Sequence, residues 1–420
     1  MILAGEIDDT LKCLYGTDEA GTGAYRDRIK GAIAGFAREF GDAGDIIVVS
    51  APGRTEIGGN HTDHQKGNVL AGSVNLDVVG CARPNGTDTV RIISENYSRE
   101  EVDLRELTPR PEEINNTPAL VRGIAAAISA RGFEVGGFDA YMTSNVPVGS
   151  GLSSSAAFEI AVGTIANRLF CGDELDAVEI AKIGQYAENV YFGKPCGLLD
   201  QVAASVGGVV GVDFANPEEP AVTKVDFDMD ASGLALCIID TGGDHKELTG
   251  VYAAIPDEMG SIAEQFGKSV LSEVPEEEFM ERLAELRETC GDRAVLRAMH
   301  FFGENRRALQ EMQAINEGRF DDFLKLVNAS GNSSAKYLQN VWAGIHLDRQ
   351  EIVVALALAE KLLEGQGAVR VHGGGFAGTI QAFVPKEMLE GFKAGIEKVF
   401  GEDTCHVLKI RPAGGVVILS

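Results

Sequence analysis

Apolar residues at Ile29, Ile33, Phe36, Ala37 and Phe40 recur at helical spacing, which predicts an amphipathic helix over residues 25–40. The β-branched run 46–49 changes the period and stops at Ala51-Pro52-Gly53, a strand followed by a turn. A second strand is expected over 138–142, leading into a glycine- and serine-rich bend. Long apolar helices follow at about 153–170 and 177–191, then a strand at 207–214 and an acidic loop at 216–220. Beyond the loop, helical patterns cover 275–289, 291–317 and 351–364, with strands around 373–376. Strands and helices alternate without βαβ regularity, so the expected class is mixed α+β rather than a doubly wound sheet.

A chain of 420 residues exceeds one ordinary compact core. Two domains are expected, at 25–215 and 216–420, after an N-terminal extension at 1–24. Thirty-seven basic against 63 acidic residues give a formal charge of −26, which argues against nucleic acid or an anionic membrane as partner. The first residues carry acids where a secretory leader has basic and apolar regions, and no apolar run approaches 18 residues. Seven scattered cysteines without a C-x-x-C pair point to free thiols in a reducing cytoplasm. No feature sets an oligomeric state, and a monomer is the working expectation.

The most informative segment is Pro147-Val148-Gly149-Ser150-Gly151-Leu152-Ser153-Ser154-Ser155-Ala156-Ala157. Two glycines one residue apart permit a tight bend, and the bend runs into a helix whose free N–H groups and positive dipole end face it. The serines add hydroxyl donors, so the segment is built to hold an oxyanion without a lysine. It is neither a Walker loop nor a dinucleotide fingerprint: Gly267-Lys268-Ser269 has Ile262 where the earlier glycine is required. Read without context, a serine-rich cap on a core helix explains the same residues.

Three further segments change that balance. Residues 51–64, Ala51-Pro52-Gly53-Arg54-Thr55-Glu56-Ile57-Gly58-Gly59-Asn60-His61-Thr62-Asp63-His64, resemble the sugar-binding signature of galactokinases. The Gly149–Ser155 bend resembles the second motif of the GHMP small-molecule kinases, and Gly373-Gly374-Gly375-Phe376-Ala377-Gly378 looks like their third. Residues 187–201, ending Gly197-Leu198-Leu199-Asp200-Gln201, are similar to the galactokinase segment that carries the catalytic aspartate. The segments lie in family order.

The resemblance implies an N-terminal domain like ribosomal protein S5 domain 2, a ferredoxin-like C-terminal domain, and an active site in the cleft between them. It implies an ATP-dependent sugar 1-kinase, with galactose the leading substrate. Matched residue by residue, Asp200 would face the anomeric hydroxyl, with Arg54 its cationic partner. Asn60, His61, Asp63, Gly197 and Tyr252 would meet the sugar. Gly149, Ser150, Gly151, Leu152, Ser153, Ser154 and Ser155 would hold ATP, and Ser155 and Glu188 would hold Mg²⁺, a hard cation that takes oxygen ligands. A zinc site built on His61, Asp63 and His64 lacks a convincing ligand set. His64 and His372 are expected to be structural or rim residues, Cys196 a packing residue and Trp342 part of the core.

The sequence departs from the galactokinase pattern at two positions. Asn60 stands where the family has a glutamate, and Glu56 where it has an asparagine. An amide both donates and accepts, so it still suits a neutral hydroxymethyl group. It also no longer repels a C6 carboxylate, and the run Asp63-His64-Gln65 is shared with galacturonate kinases. A galacturonate or amino-sugar kinase therefore remains an alternative, as does an inactive sugar sensor, although Ser155-Ala156-Ala157 is intact.

Overall fold

The computed structural model describes residues 7–147, 149–194, 196–243, 248–345 and 347–420. Val148 and Pro195, within two of the segments above, lie outside the described residues. Twelve strands are described: β1 (Ile47–Gly58), β2 (Asn68–Pro84), β3 (Thr89–Ser94), β4 (Glu100–Asp103), β5 (Phe138–Ser144), β6 (Val209–Asp213), β7 (Ala221–Val225), β8 (Leu234–Asp240), β9 (Ala368–Val371), β10 (Thr379–Pro385), β11 (Cys405–Leu408) and β12 (Val416–Leu419). Among the helices, α1 (Asp8–Tyr15), α2 (Glu19–Phe40), α3 (Thr117–Ser129), α4 (Ser154–Phe170), α5 (Ala177–Tyr186) and α6 (Leu199–Val206) belong to the first half. The second half holds α7 (Thr249–Glu264), α8 (Glu276–Glu281), α9 (Leu283–Cys290), α10 (Asp292–Asn316), α11 (Phe320–Ser333), α12 (Glu351–Leu363) and α13 (Leu389–Phe400).

The strands form two sheets. The larger runs β12-β1-β2-β5-β3-β4, with β6 beside β2 and β7 beside β6; the smaller runs β11-β8-β10-β9. All pairs are antiparallel except β3 with β5. Strand β1 is buried on both faces, so its side chains divide by the two-residue period. Val48 packs with Ile29, Phe36 and Tyr141 under α2, whereas Val49 and Ala51 pack with Ile160 and Ala157 under α4. The smaller sheet packs α12 and α13 through Ile352, Ala355, Phe392 and Ile396. The expected division after residue 215 falls between β6 and β7, which pair with each other, and β12 returns from the far end of the chain to β1.

Four local expectations are corrected. Ala51-Pro52-Gly53 is not a turn: β1 continues through it, with a register shift between Pro52 and Arg54. Proline cannot donate to the ladder, and a bulge accommodates the missing bond. Residues 373–376 are the connection between β9 and β10 rather than strands. The helix expected at 275–289 is two helices, α8 and α9, and the one at 177–191 ends in a π-helical turn, Ala187–Phe192.

Candidate active site

Gly53 is where the sugar segment and the anion bend touch. A Cβ there would lie 2.7 Å from the carbonyl oxygen of Leu152, so only glycine permits the approach. The next N–H, that of Arg54, donates to the same carbonyl at 3.0 Å. The Arg54 side chain donates through Nη1 to the Gly151 carbonyl and through Nε to Oδ1 of Asp200 at 2.7 Å; Nη2 lies 2.6 Å from that oxygen. The Ser150 carbonyl accepts from Thr379 at 3.0 Å. Three successive carbonyls are therefore held by the protein. In a planar trans peptide the N–H points opposite its carbonyl, so the N–H groups of Gly151, Leu152 and Ser153 face away from these partners. Among the described residues these three make no hydrogen bond, and they lead into the first turn of α4. Gly149 and Gly151 have φ of 79° and 69°, which gives the bend its concave shape.

Asp200, in the first turn of α6, takes its second hydrogen bond from the Ser153 hydroxyl at 2.7 Å. Burial is the largest influence on its carboxyl and raises the pKa, but Arg54, the Ser153 hydroxyl and Lys194 outweigh it. The group is held below the ordinary range and is ionised at neutral pH. Ser153 itself has φ of 56°, a strained conformation for a residue with a Cβ. Ser150 and Leu152 are buried, whereas Ser154 and Ser155 are half-buried at the start of α4.

One turn further along α4, Glu159 accepts from Nε2 of Gln201 at 2.9 Å, and the same nitrogen bonds Glu188 at 2.9 Å. Lys194 completes the Glu188 carboxylate at 3.0 Å. Burial, and then the charge of Glu188, push Glu159 well above the usual carboxylate range. Gln201, which follows Asp200 in α6 and had no expected role, thus bridges Glu188 to Glu159, one turn beyond Ser155 on α4. The Glu188 carboxylate is an oxygen ligand of the kind a hard divalent cation takes, alongside waters and phosphate oxygens. Among the described residues no group of three or more His, Cys, Asp or Glu forms a complete metal cage.

The sugar segment folds over the third glycine-rich stretch. His61 sits in the left-handed region, φ 59°, and its Nε2 is 3.0 Å from the Gly374 carbonyl. Burial, together with the charges of His64 and His300, pushes its pKa down to about 4. The ring is neutral, Nε2–H donates to the carbonyl, and Nδ1 is left as the acceptor. Tyr252 donates to the Gly375 carbonyl at 2.6 Å and packs edge-on against Phe376. Asp63 lies against Gly197, where a Cβ would come within 2.2 Å of Oδ2. Both line a cleft of about 540 Å³ with Arg131, Lys182 and Gln185.

Asn60 is placed differently from the expectation that it meets a sugar hydroxyl. It is fully buried; its amide nitrogen donates to Glu56 at 2.9 Å and to the Gly373 carbonyl at 2.7 Å. Its oxygen accepts from Asn340 at 2.8 Å, so no amide hydrogen remains for a ligand in this arrangement. Glu56 in turn pairs with the buried Arg370 at 2.6 Å. The exchanged acid and amide form a hub between β1 and β9.

His64 is exposed and His372 buried, in line with rim and structural roles. Trp342 is not in the core: it is half-buried on the wall of a cleft with Arg293, Gln339 and Phe376. Burial, and then Glu188, raise the Cys196 thiol, so it is protonated and no nucleophile.

The galactokinase galactose-binding signature matches residues 34–84, and the N-terminal domain of the GHMP kinases matches residues 119–208. A galactokinase of Actinobacillus pleuropneumoniae is 32% identical over 361 residues, 85% of this chain and 90% of the relative. The chain belongs to the galactokinase family. It is a phosphotransferase that acts on a sugar hydroxyl, and a kinase of this family takes its phosphoryl group from ATP. A galactokinase of Glaesserella parasuis is also 32% identical, over 88% of this chain and 93% of the relative. The crystal structure of Lactococcus lactis galactokinase complexed with galactose superposes with a TM-score of 0.78 at 26% identity, covering 92% of this chain and 99% of that one. Mevalonate kinase of Methanococcus jannaschii shares the fold, with a TM-score of 0.63 at 15% identity over 87% of this chain and 99% of that one. The architecture is the two-domain GHMP kinase fold. Among the described residues no helix is long and apolar enough to cross a membrane.

Proposed function

We propose that the chain transfers the γ-phosphoryl group of ATP to the anomeric hydroxyl of galactose, in the cytoplasm and with Mg²⁺. The observation that supports this reading best is the carboxylate of Asp200, which is shared between Arg54 and the Ser153 hydroxyl at the mouth of the anion bend. An ionised Asp200 anchors the attacking hydroxyl, and Arg54 lies within reach of both that carboxylate and the bend. Phosphoryl transfer is chiefly positioning and charge stabilisation, which this arrangement supplies.

In this reading Gly149–Ser155 receive the nucleotide phosphates on the N–H groups of Gly151, Leu152 and Ser153. Ser155 and Glu188 hold the cation, which neutralises charge on the phosphates when bound. His61 accepts a sugar hydroxyl at Nδ1, Asp63 accepts another beside Gly197, and Tyr252 closes the site through Gly375. Asn60 acts on the sugar indirectly, through the Gly373 carbonyl that it holds.

The test is ADP release with galactose, galacturonate, N-acetylgalactosamine and glucose. Galactose turns over fastest, and Asp200→Ala abolishes turnover while nucleotide binding persists. Galactose no faster than the others removes the substrate assignment, and unchanged turnover in Asp200→Ala removes the role of Asp200.

A further inference from the structure

We propose that His372 is a positioning residue for the nucleotide bend: through Thr379 it sets the direction of the Ser150 carbonyl, and so of the Gly151 N–H that meets phosphate. This rests on reading 149–155 as the nucleotide loop.

The hydrogen bonds around His372 form a chain whose direction is fixed at both ends. Nε2 of Gln381 lies 2.9 Å from the Glu56 carbonyl and 2.7 Å from Oγ1 of Thr55. A carbonyl only accepts, so this end of Gln381 is the amide nitrogen, and its second hydrogen goes to Thr55. Thr55 lies 3.0 Å from Nε2 of His372, and Nδ1 of His372 lies 3.0 Å from Oγ1 of Thr379. Thr379 reaches the Ser150 carbonyl at 3.0 Å. Because that carbonyl also only accepts, Thr379 spends its one hydrogen there and must accept from His372. The imidazole proton is therefore on Nδ1, and Nε2 accepts from Thr55. Burial, then the charges of Arg54 and Arg370, lower the His372 pKa, which agrees with a ring carrying one proton.

The chain is closed to bulk solvent: Thr55, His372, Thr379 and Gln381 are each 2% exposed or less. The bend also packs directly on the ring, since a Cβ on Gly151 would lie 2.9 Å from Nδ1.

The end of the chain falls at the peptide most able to turn over. Ser150 sits between two glycines with positive φ, and Gly151 crosses φ at little cost. A flip of the 150–151 peptide would aim a carbonyl oxygen, rather than an N–H, at the nucleotide. Thr379 holds the productive orientation, and His372 keeps Thr379 donating. The residues lie on β1, β10 and the β9–β10 connection, so the smaller sheet takes part in shaping the bend.

Thr379→Val removes both hydrogen-bonding roles with little change in volume, whereas Thr379→Ser keeps them. Steady-state kinetics of folded protein, checked by thermal melting, are expected to show the nucleotide KM raised about tenfold or more in Thr379→Val. The galactose KM and kcat should stay within about threefold, and Thr379→Ser should remain near wild type. His372→Leu is expected to act in the same direction, with the double variant no worse than the worse single one, as for members of one chain. A nucleotide KM within twofold of wild type in Thr379→Val overturns the proposal. Amide hydrogen exchange with a non-hydrolysable ATP analogue separates the two readings. Protection over 149–157 together with an unaffected Thr379→Val removes the His372 chain alone; no protection removes the loop assignment as well.

Discussion

The Ser153 hydroxyl lies 2.7 Å from Oδ2 of Asp200, and it reaches there from a left-handed backbone with φ of 56°. The same residue ends the glycine-serine bend and stands at the N-cap position of α4, but its side chain makes no capping bond there and instead links the bend to Asp200. Strain of this kind persists where surrounding contacts over-determine the conformation. Here Arg54 supplies that restraint, through its N–H on Leu152 and its guanidinium on Gly151 and Asp200.

Two substitutions at Ser153 separate the hydrogen bond from the strain. Ser153→Ala and Ser153→Gly both remove the donor to an ionised acceptor, a contact worth about 1.5–3 kcal/mol, so both lower kcat by about tenfold or more. Only glycine relieves the left-handed backbone, and it is expected to be about 1 kcal/mol more stable than the alanine variant. Urea unfolding and initial rates on the same samples check both statements. Equal stability of the two variants would show that Ser153 is not strained.

The neutral ring of His61 makes a prediction about acid. Its pKa is about 4 in the folded chain against 6.5 in an unperturbed imidazole. Between those values the unfolded chain binds a proton that the folded chain does not. The stability that belongs to the neutral ring is complete above pH 6.5 and is lost as the pH falls toward 4. At pH 5 the loss is on the order of 2 kcal/mol. His61→Asn, which cannot titrate, should lose less stability between pH 7 and pH 5 than the wild type. Parallel pH profiles of the two melting curves would contradict the assignment of a neutral His61.

The parts of this site that could be read from the sequence are those in which residue type and backbone are locked together. Gly149 and Gly151 announce a bend before a helix because glycine takes a positive φ at little cost, whereas the serines read as caps and Ser153 instead bonds Asp200. The Arg54–Asp200 pair followed from resemblance, and the two residues do meet. Other features depend on partners far away in the chain. Pro52 reads as a turn, yet β1 has partners on both sides, β2 and β12, and absorbs it in a bulge. Asn60 reads as a ligand for sugar, yet its amide is filled by Glu56, Gly373 and Asn340, the last 280 residues away. Arg370 and Arg411 carry no signal in the sequence, yet they are fully buried, where carboxylates and carbonyls meet them. Local pattern carries no information about which remote group fills a hydrogen-bonding valence.

The cation reading is testable at Glu188. Glu188→Gln keeps a hydrogen-bonding group near Gln201 but removes the charge that a divalent ion requires. The variant is expected to need at least about tenfold more Mg²⁺ for half-maximal rate, and chelation of the metal should abolish turnover in the wild type. Calorimetric titration of Mg²⁺ in the presence of ADP gives a readout independent of turnover. An unchanged Mg²⁺ requirement in Glu188→Gln would place the cation elsewhere.

Away from the site, Asp77 holds the N-terminal helices and the end of the chain to the larger sheet. Its carboxylate takes hydrogen bonds from Tyr15 of α1 at 2.6 Å, from Arg411 just before β12 at 3.0 Å, and also from Arg28 of α2 and Ser50 of β1. Burial, the largest influence, raises its pKa, yet Arg28 and Arg411 hold the carboxyl below its ordinary value. The folded chain therefore gains stability from the ionised group above the unfolded pKa and loses it as the pH falls through the folded one. Removing the charge while both guanidinium groups remain leaves buried cations uncompensated. Asp77→Asn is accordingly expected to cost about 3–5 kcal/mol in urea unfolding. Tyr15→Phe, which leaves the ion pairs intact, should cost about 1 kcal/mol. Neither residue touches the bend or Asp200, so kcat per folded molecule should stay within about twofold. A loss below about 1 kcal/mol in Asp77→Asn would mean that the two arginines find other partners and that α1 and α2 are held mainly by the apolar contacts of Ile29, Phe36 and Tyr141.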